Sequence, residues 1–102
     1  MAVRRILVVD DDDLLRESLV EQLSLYEEFE LLEEPTAAKG ISRARAEPVD
    51  LMIMDVGLPD MDGREAVKLL RKGGFKGPII MLTGQDSESD TILGLEAGAN
   101  DY

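Results

Sequence analysis

One stretch near the middle of the chain constrains the fold more than any other: four apolar residues at positions 51–54 end abruptly at Asp55. The run is too short for a typical globular helix and lies between turn-forming residues, so it predicts a strand that is buried on both faces. Gly57, Pro59 and Gly63 follow and direct the chain away from the strand. Asp55 is therefore predicted at the carboxyl end of a strand, which is where open α/β sheets bind ligands.

Short apolar runs alternate with helical patterns along the rest of the chain. We predict strands at 5–10, 29–34, 51–55 and 79–82, and helices at about 13–26, after Thr36 to about 46, at 63–72 and at 90–97. This alternation is typical of right-handed βαβ crossovers, which build a parallel sheet with helices on both faces. Acids interrupt the run at 29–34, which suits a sheet edge. The expected strand order is therefore 2-1-3-4, with a fifth strand at most barely begun at 99–102.

The first helix is predicted from apolar residues at helical spacing. These are Leu14, Leu15, Leu19, Leu23 and Tyr26, which we expect to form its apolar face. The second helix is rich in small residues, so we expect it to pack closely on its neighbours.

Several acids have structural interpretations. Asp12 or Asp13 is placed to cap the first helix, because a carboxylate accepts hydrogen bonds from free first-turn amides. Asp60 and Asp62 are interpreted as turn and cap residues. The glutamates at 27–34 are interpreted as a solvated face that aids solubility.

Composition limits the chemistry available. The 102 residues suit one domain, and no apolar run is long enough to cross a bilayer or to form the core of a signal peptide, so we expect a cytoplasmic protein. Without cysteine and histidine there are no disulfides, no cysteine zinc sites and no imidazole base, so any metal would be a hard cation bound by oxygen. A formal net charge of −11 argues against nucleic-acid binding, which would need an output domain outside this chain.

Three of the predicted strands end in residues that can carry chemistry: Asp10 and Asp11, Asp55, and Thr83. Parallel strands bring these ends to one edge of the sheet, where three carboxylates repel one another unless protons or a cation compensate. Mg²⁺ is the natural compensator, because it takes oxygen ligands and keeps waters that a phosphate group can displace. A carboxylate oxygen can then attack phosphorus and form an aspartyl phosphate, while the Thr83 hydroxyl donates to the phosphoryl oxygens.

Four motifs in this order resemble the receiver domain of two-component response regulators, and together they cover nearly the whole chain. They are residues 6–11 (Ile-Leu-Val-Val-Asp-Asp), 50–63, 78–84 (Pro-Ile-Ile-Met-Leu-Thr-Gly) and 98–102. The resemblance implies a flavodoxin-like, doubly wound α/β fold, with 1–102 a receiver domain that lacks its last strand and last helix. It also implies Mg²⁺-dependent phosphotransfer to Asp55 from the phosphohistidine of a sensor histidine kinase or a histidine phosphotransfer protein. Such a domain is not an enzyme in the usual sense, since it promotes only its own phosphorylation and dephosphorylation.

The resemblance also assigns roles to individual residues. Asp10 and Asp11 are the acid pair, with Asp11 the more direct metal ligand and Asp10 acting largely through water. Gly57 supplies a backbone carbonyl to the metal. Thr83 becomes a hydroxyl switch, and Tyr102 becomes an aromatic switch that moves inward when Thr83 engages the phosphate.

Receiver domains also place an essential lysine, followed by proline, a few residues beyond the position of Tyr102, where this sequence ends. Lys68, Lys72 and Lys76 do not match that motif and are expected to face away from the acids. A chain without the last helix is expected to expose an apolar sheet face and the flank of its fourth strand. We therefore expect it to dimerise or to exchange elements with a second copy.

Two other functions are compatible with parts of the pattern. Asp10, Asp12 and Thr83 mimic two motifs of metal-dependent phosphatases of the haloacid-dehalogenase type. That family has threonine or valine where Leu14 stands, and it would leave Asp55 without a role. The second alternative is a phosphorylation-independent interaction module, which predicts no detectable Mg²⁺ binding.

Overall fold

The computed structural model describes residues 3–82, in which strands and helices alternate. The elements are β1 (Arg4–Val9), α1 (Asp13–Leu23), β2 (Phe29–Glu34), α2 (Ala37–Ala46), β3 (Leu51–Asp55), α3 (Gly63–Lys72) and β4 (Ile79–Leu82). The strands pair in parallel in the order β2-β1-β3-β4, which confirms the predicted order and the edge position of β2. The predicted helix at 90–97 and the start of a fifth strand lie outside the described residues.

The central strands are buried on both faces because their alternate side chains enter different apolar clusters. The larger cluster lies under α2 and α3 and includes Leu7, Val9, Met52, Met54, Ile79 and Met81. The smaller cluster lies under α1 and is built on Ile6, Val8 and Ile53. This two-sided burial explains why the strands are continuous apolar runs. No helix within residues 3–82 is long and apolar enough to span a membrane.

The first helix is shorter than predicted. It ends at Leu23 and does not continue to 26, because the amides of Leu25 and Tyr26 donate to the carbonyls of Gln22 and Leu23 in a tight turn. The Tyr26 ring then packs against the ring of Phe29, with 5.7 Å between the ring centroids. Tyr26 therefore belongs to the connection to β2 and not to the apolar face of α1.

The predicted apolar face of α1 is wrong at its first turn. Leu14 is 81% exposed and Leu15 is 46% exposed. Leu14 and Leu19 are five positions apart, which places them about 140° apart around a helix, so they cannot share one narrow face. The partly buried face of α1 instead begins with a charged residue, Arg16. It continues at helical spacing through Leu19, Val20 and Leu23.

The acids interpreted as caps act as caps. Asp12 caps α1 and Asp62 caps α3, as predicted. Asp60 caps a helix distant in sequence, since its two carboxylate oxygens accept from the amides of Ala37 and Ala38, each at 2.9 Å. These backbone hydrogen bonds hold the pKa of Asp60 below its ordinary value. The loop after β3 is thereby tied to the start of α2.

Three acids of β2 pair with arginines. Glu30 and Glu33 are exposed, as the solvated-face interpretation predicts, whereas Glu34 is partly buried, so that interpretation is wrong for Glu34. The pairs are Glu30 with Arg5 at 3.0 Å, Glu33 with Arg16 at 3.0 Å, and Glu34 with Arg43 at 2.9 Å. The arginines come from β1, α1 and α2 respectively. The edge strand is thus joined to three different elements through its side chains.

Gly63 begins α3 in close contact with the end of β3. A Cβ at this position would lie 2.6 Å from the carbonyl oxygen of Asp55 and 2.8 Å from both the Cα of Val56 and the Cε of Met81. Backbone atoms cannot yield as a flexible side chain can. The turn that leads away from Asp55 therefore requires glycine at position 63.

We expect Gly63→Ala to lower the free energy of unfolding by about 1–3 kcal/mol, the usual scale of overpacking, although alanine is the better helix former. Urea unfolding followed by circular dichroism measures this change. Gly57→Ala is the matched control in the same loop, because its added Cβ would meet only the Oδ2 of Asp55, at 4.0 Å. Equal losses in the two variants would contradict the steric argument.

Candidate metal and phosphoacceptor site

Three acids meet at the carboxyl edge of the sheet. Val9 of β1 is paired with Met54 of β3, so the next residues of these strands, Asp10 and Asp55, lie on neighbouring strands. One carboxylate oxygen from each of Asp10, Asp11 and Asp55 lies within 4.8 Å of the other two. The structure therefore brings together the three acids that the sequence singled out.

Asp10 is a buried carboxylate, with only 2% of its surface exposed. Its Oδ1 accepts a hydrogen bond from the Asp12 amide at 2.9 Å. Burial raises the pKa of Asp10 above its ordinary value, and the charges of Asp11 and Asp12 raise it further. The Asp12 amide and the charge of Arg16 act in the opposite direction without cancelling the rise in pKa.

Asp55 is half-buried and its pKa is also raised. Burial is the largest cause, and the charges of Asp10 and Asp11 add to it. Hydrogen bonds from the amides of Gly57 and Val56 lower the pKa of Asp55 in part. Asp10 and Asp55 are thus both less easily ionised than a carboxyl group in water.

The residues of this cluster fit a hard divalent cation. Their donors are carboxylate oxygens, which Mg²⁺ prefers, and the chain has no histidine or cysteine that would favour a softer metal. The raised pKa values of Asp10 and Asp55 reflect burial and mutual repulsion that a bound cation would relieve. Asp10 and Asp11, beside Asp55, are the residues that would hold it.

The remaining predicted site residues are placed as follows. Gly57 lies beside the Asp55 carboxylate, since a Cβ on it would be 4.0 Å from the Oδ2 of Asp55, and it forms an isolated bridge with Asp62. Thr83 and Tyr102 lie outside the described residues.

The three lysines of the α3 region are placed as follows, and the predicted position away from the acids is confirmed for Lys72 and Lys76. Lys68 is exposed on α3, with its Nζ 3.8 Å from the carboxylate of Glu65. Lys72 is in the last turn of α3, and Lys76 precedes β4, so both belong to the opposite edge of the sheet.

Sequence reasoning missed Arg16, which contacts the acid loop directly. Its Nη1 donates to the Asp10 carbonyl oxygen at 2.6 Å, its Nη2 to Asp13 at 2.7 Å and its Nε to Glu33 at 3.0 Å. The side chain is only 11% exposed. A signal for it existed: Arg16 occupies the first position of the inward stripe of α1, where the other positions are apolar.

Comparisons with known proteins agree with this geometry. The family model of the response regulator receiver domain matches residues 6–102. The chain is 43% identical over 102 residues to the alkaline phosphatase synthesis transcriptional regulatory protein PhoP of Bacillus subtilis, covering 97% of this chain and 41% of that protein. It is 39% identical over 98 residues to the response regulator MprA of Mycobacterium avium, covering 96% of this chain and 42% of that protein.

A solved structure has the same fold. The CheY-like response regulator receiver domain protein from Methanospirillum hungatei matches with a TM-score of 0.88 at 34% identity, covering 99% of this chain and 80% of that chain. The fold and the acid edge are those of a receiver domain. The chain belongs to the response regulator receiver domain family of two-component systems. It spans about two fifths of the length of the curated relatives, and the comparisons favour neither the phosphatase nor the phosphorylation-independent module.

The raised pKa of Asp55 predicts a pH-dependent stability. Between the ordinary carboxyl pKa, about 4, and the raised one, the folded domain holds a proton that the unfolded chain has released. In the absence of divalent cations, the contribution of Asp55 to the free energy of unfolding therefore falls as pH rises through this interval. We expect Asp55→Asn to be more stable than the wild type at neutral pH by about 1 kcal/mol, and to lose this advantage below the ordinary carboxyl pKa.

Urea titrations in EDTA across the acid range would measure this difference. Asp50→Asn is the matched control, because it removes one charge at the opposite end of β3, where the carboxylate accepts from the Arg5 amide. A pH-dependent gain of the same size in Asp50→Asn would assign the effect to net charge and contradict a local origin at Asp55.

Proposed function

We propose that Asp55 accepts a phosphoryl group in a Mg²⁺-dependent reaction, and that the donor is the phosphohistidine of a sensor histidine kinase or a histidine phosphotransfer protein. One observation carries the proposal: oxygens of Asp10, Asp11 and Asp55 meet within 4.8 Å at the carboxyl edge of the sheet. Asp10 is almost fully buried and already accepts from the Asp12 amide, whereas Asp55 is half-buried. Asp55 is therefore the better placed nucleophile of the two strand-end acids.

The acids around Asp55 have complementary roles in this proposal. Asp11 is exposed and would ligate the cation directly, while Asp10 would act largely through water. The carbonyl of Gly57 is proposed as a further ligand. When bound, Mg²⁺ supplies positive charge that stabilises the transferring phosphoryl group. On the strength of the family alone, Thr83 is proposed as the hydroxyl switch and Tyr102 as the aromatic switch.

Phosphoryl transfer to Asp55 needs only the carboxylate and the phosphorylated donor, and its bonds and electrons are accounted for as follows. An oxygen of the Asp55 carboxylate attacks phosphorus, the bond between phosphorus and the donor imidazole nitrogen breaks, and that nitrogen keeps the bonding electrons. The product is an acyl phosphate on Asp55, and its hydrolysis restores the carboxylate. The domain thus acts on its own side chain and turns over no separate substrate.

The biological setting is part of the same proposal. Because the relative from Bacillus subtilis is a transcriptional regulatory protein that extends beyond the matched region, we propose that phosphorylation is read by an output segment of a longer protein. The charge of −11 argues that this domain does not itself bind nucleic acid. A cytoplasmic location belongs to the proposal as well.

Incubation with acetyl phosphate and Mg²⁺ tests the assignment of the acceptor. We expect one phosphoryl group per chain, stable to acid and released by hydroxylamine, as an acyl phosphate should be. Asp55→Asn should abolish this labelling and EDTA should prevent it, whereas Asp50→Asn, at the other end of β3, should be labelled like the wild type. Intact-mass spectrometry followed by peptide mapping measures each outcome.

Two results would contradict the proposal. Labelling that persists in Asp55→Asn would place the acceptor elsewhere. Repeated turnover of phosphate esters that is lost in Asp10→Asn would indicate a phosphatase instead.

A further inference from the structure

Arg16 holds the backbone of the acid loop. Its Nη1 donates to the carbonyl oxygen of Asp10 at 2.6 Å. That carbonyl and the amide of Asp11 belong to one planar peptide unit, so a bond that fixes the carbonyl also fixes the direction in which the Asp11 residue leaves the strand. The contact therefore acts on the relative placement of two of the three clustered acids.

Arg16 is itself held from two other directions. Its Nε donates to Glu33 of β2 at 3.0 Å, and its Nη2 donates to Asp13 of α1 at 2.7 Å. A guanidinium is planar and presents its donors in a rigid fork, so three acceptors at these positions define its orientation. With a side chain only 11% exposed, Arg16 is a fixed reference point for the loop after β1.

We propose that Arg16 is a positioning residue of the metal site, which keeps the Asp10–Asp11 peptide oriented so that both carboxylates stay within reach of Asp55. Arg16 touches neither the cation nor the phosphoryl group in this role; it acts through the Asp10 carbonyl. The inference rests on the proposed Mg²⁺ site and assigns a residue to it that lies in α1 rather than at a strand end.

A purely electrostatic role for Arg16 makes the opposite prediction. A positive charge beside the acids repels Mg²⁺, so its removal would strengthen Mg²⁺ binding if charge were all that mattered. Loss of positioning would weaken binding, because the carboxylates would no longer be held together. The sign of the change in Mg²⁺ affinity therefore separates the two roles.

The test is calorimetric titration of the chain with Mg²⁺ in the wild type, Arg16→Gln and Arg16→Lys. We expect Arg16→Gln to bind about tenfold more weakly, the usual scale for loss of an outer partner of a metal ligand. Arg16→Lys keeps the charge but cannot form the three-way fork, so it should also bind more weakly than the wild type. Amide NMR shifts of Asp11 and Asp12 without Mg²⁺ should change in both variants.

Arg5→Gln is the matched control. It removes the same charge from an arginine that also pairs with a glutamate of β2, Glu30, at 3.0 Å, but at the far end of the strand. We expect its Mg²⁺ affinity and the shifts of Asp11 and Asp12 to remain those of the wild type. Unfolding in EDTA would show which variants are folded before the titration; if Arg16→Gln is not, the comparison is made with Arg16→Lys.

The outcomes are distinct. If a folded Arg16 variant binds Mg²⁺ as tightly as the wild type, or more tightly, the positioning role is overturned while the metal site remains intact. If Arg5→Gln loses as much Mg²⁺ affinity as Arg16→Gln, the positioning role is overturned as well, since the loss would then follow from breaking any ion pair between an arginine and β2. A wild-type chain that binds no Mg²⁺ would refute the metal site and this inference together.

Discussion

The parallel pairing of β1 with β3 is the constraint on which the acid edge depends. The register that pairs Ile6 with Leu51 and Val9 with Met54 places Asp10, which directly follows β1, beside Asp55, the last residue of β3. With Asp11 they bring three carboxylate oxygens within 4.8 Å of one another. Burial and mutual repulsion raise the pKa values of both strand-end acids, so this arrangement opposes folding locally. The apolar clusters on the two faces of the sheet hold the strands together against it.

The loops at this edge are held by side chains from other elements. Arg16 joins the loop after β1 to β2 through Glu33. Asp60 joins the loop after β3 to the start of α2 through two backbone amides. Gly63 lets that loop return against the carbonyl of Asp55 at a distance that excludes any side chain. The placement of the acids therefore depends on contacts between elements as much as on the strands that carry them.

The parts of the fold that depend on local patterns were predictable from the sequence. Apolar runs bounded by turn residues located the strands, and Asp12 and Asp62 cap the helices that directly follow them. The grouping of Asp10 with Asp55 was also predictable, because parallel topology alone brings the carboxyl ends of strands together. These signals need only the order of residues along the chain and the periodicity of each element.

The other features depend on partners that the sequence does not place side by side. Asp60 is separated by 23 residues from Ala37, whose amide it accepts, and Arg16 by 17 residues from Glu33. Their roles arise only when β2, α1 and α2 are docked. The exposure of Leu14 has a similar cause. Contact with the sheet determines which face of α1 is buried, and that face begins at Arg16. Single-residue hydrophobicity could not have distinguished these positions.

Stability and cation affinity are two aspects of the same acid cluster. A ligand that binds only the folded state stabilises it, so a cation held by Asp10 and Asp11 would offset the repulsion that raises the pKa of Asp55. Neutralising one acid would reduce the repulsion among the carboxylates and also remove a ligand for the cation. The fold would then gain stability while the proposed site lost cation affinity. A carboxylate cluster that only served solubility would not need to be held within 4.8 Å at a strand edge, with one member 2% exposed. The local instability is therefore what the proposed Mg²⁺ site would require, and the packing of the rest of the domain compensates for it.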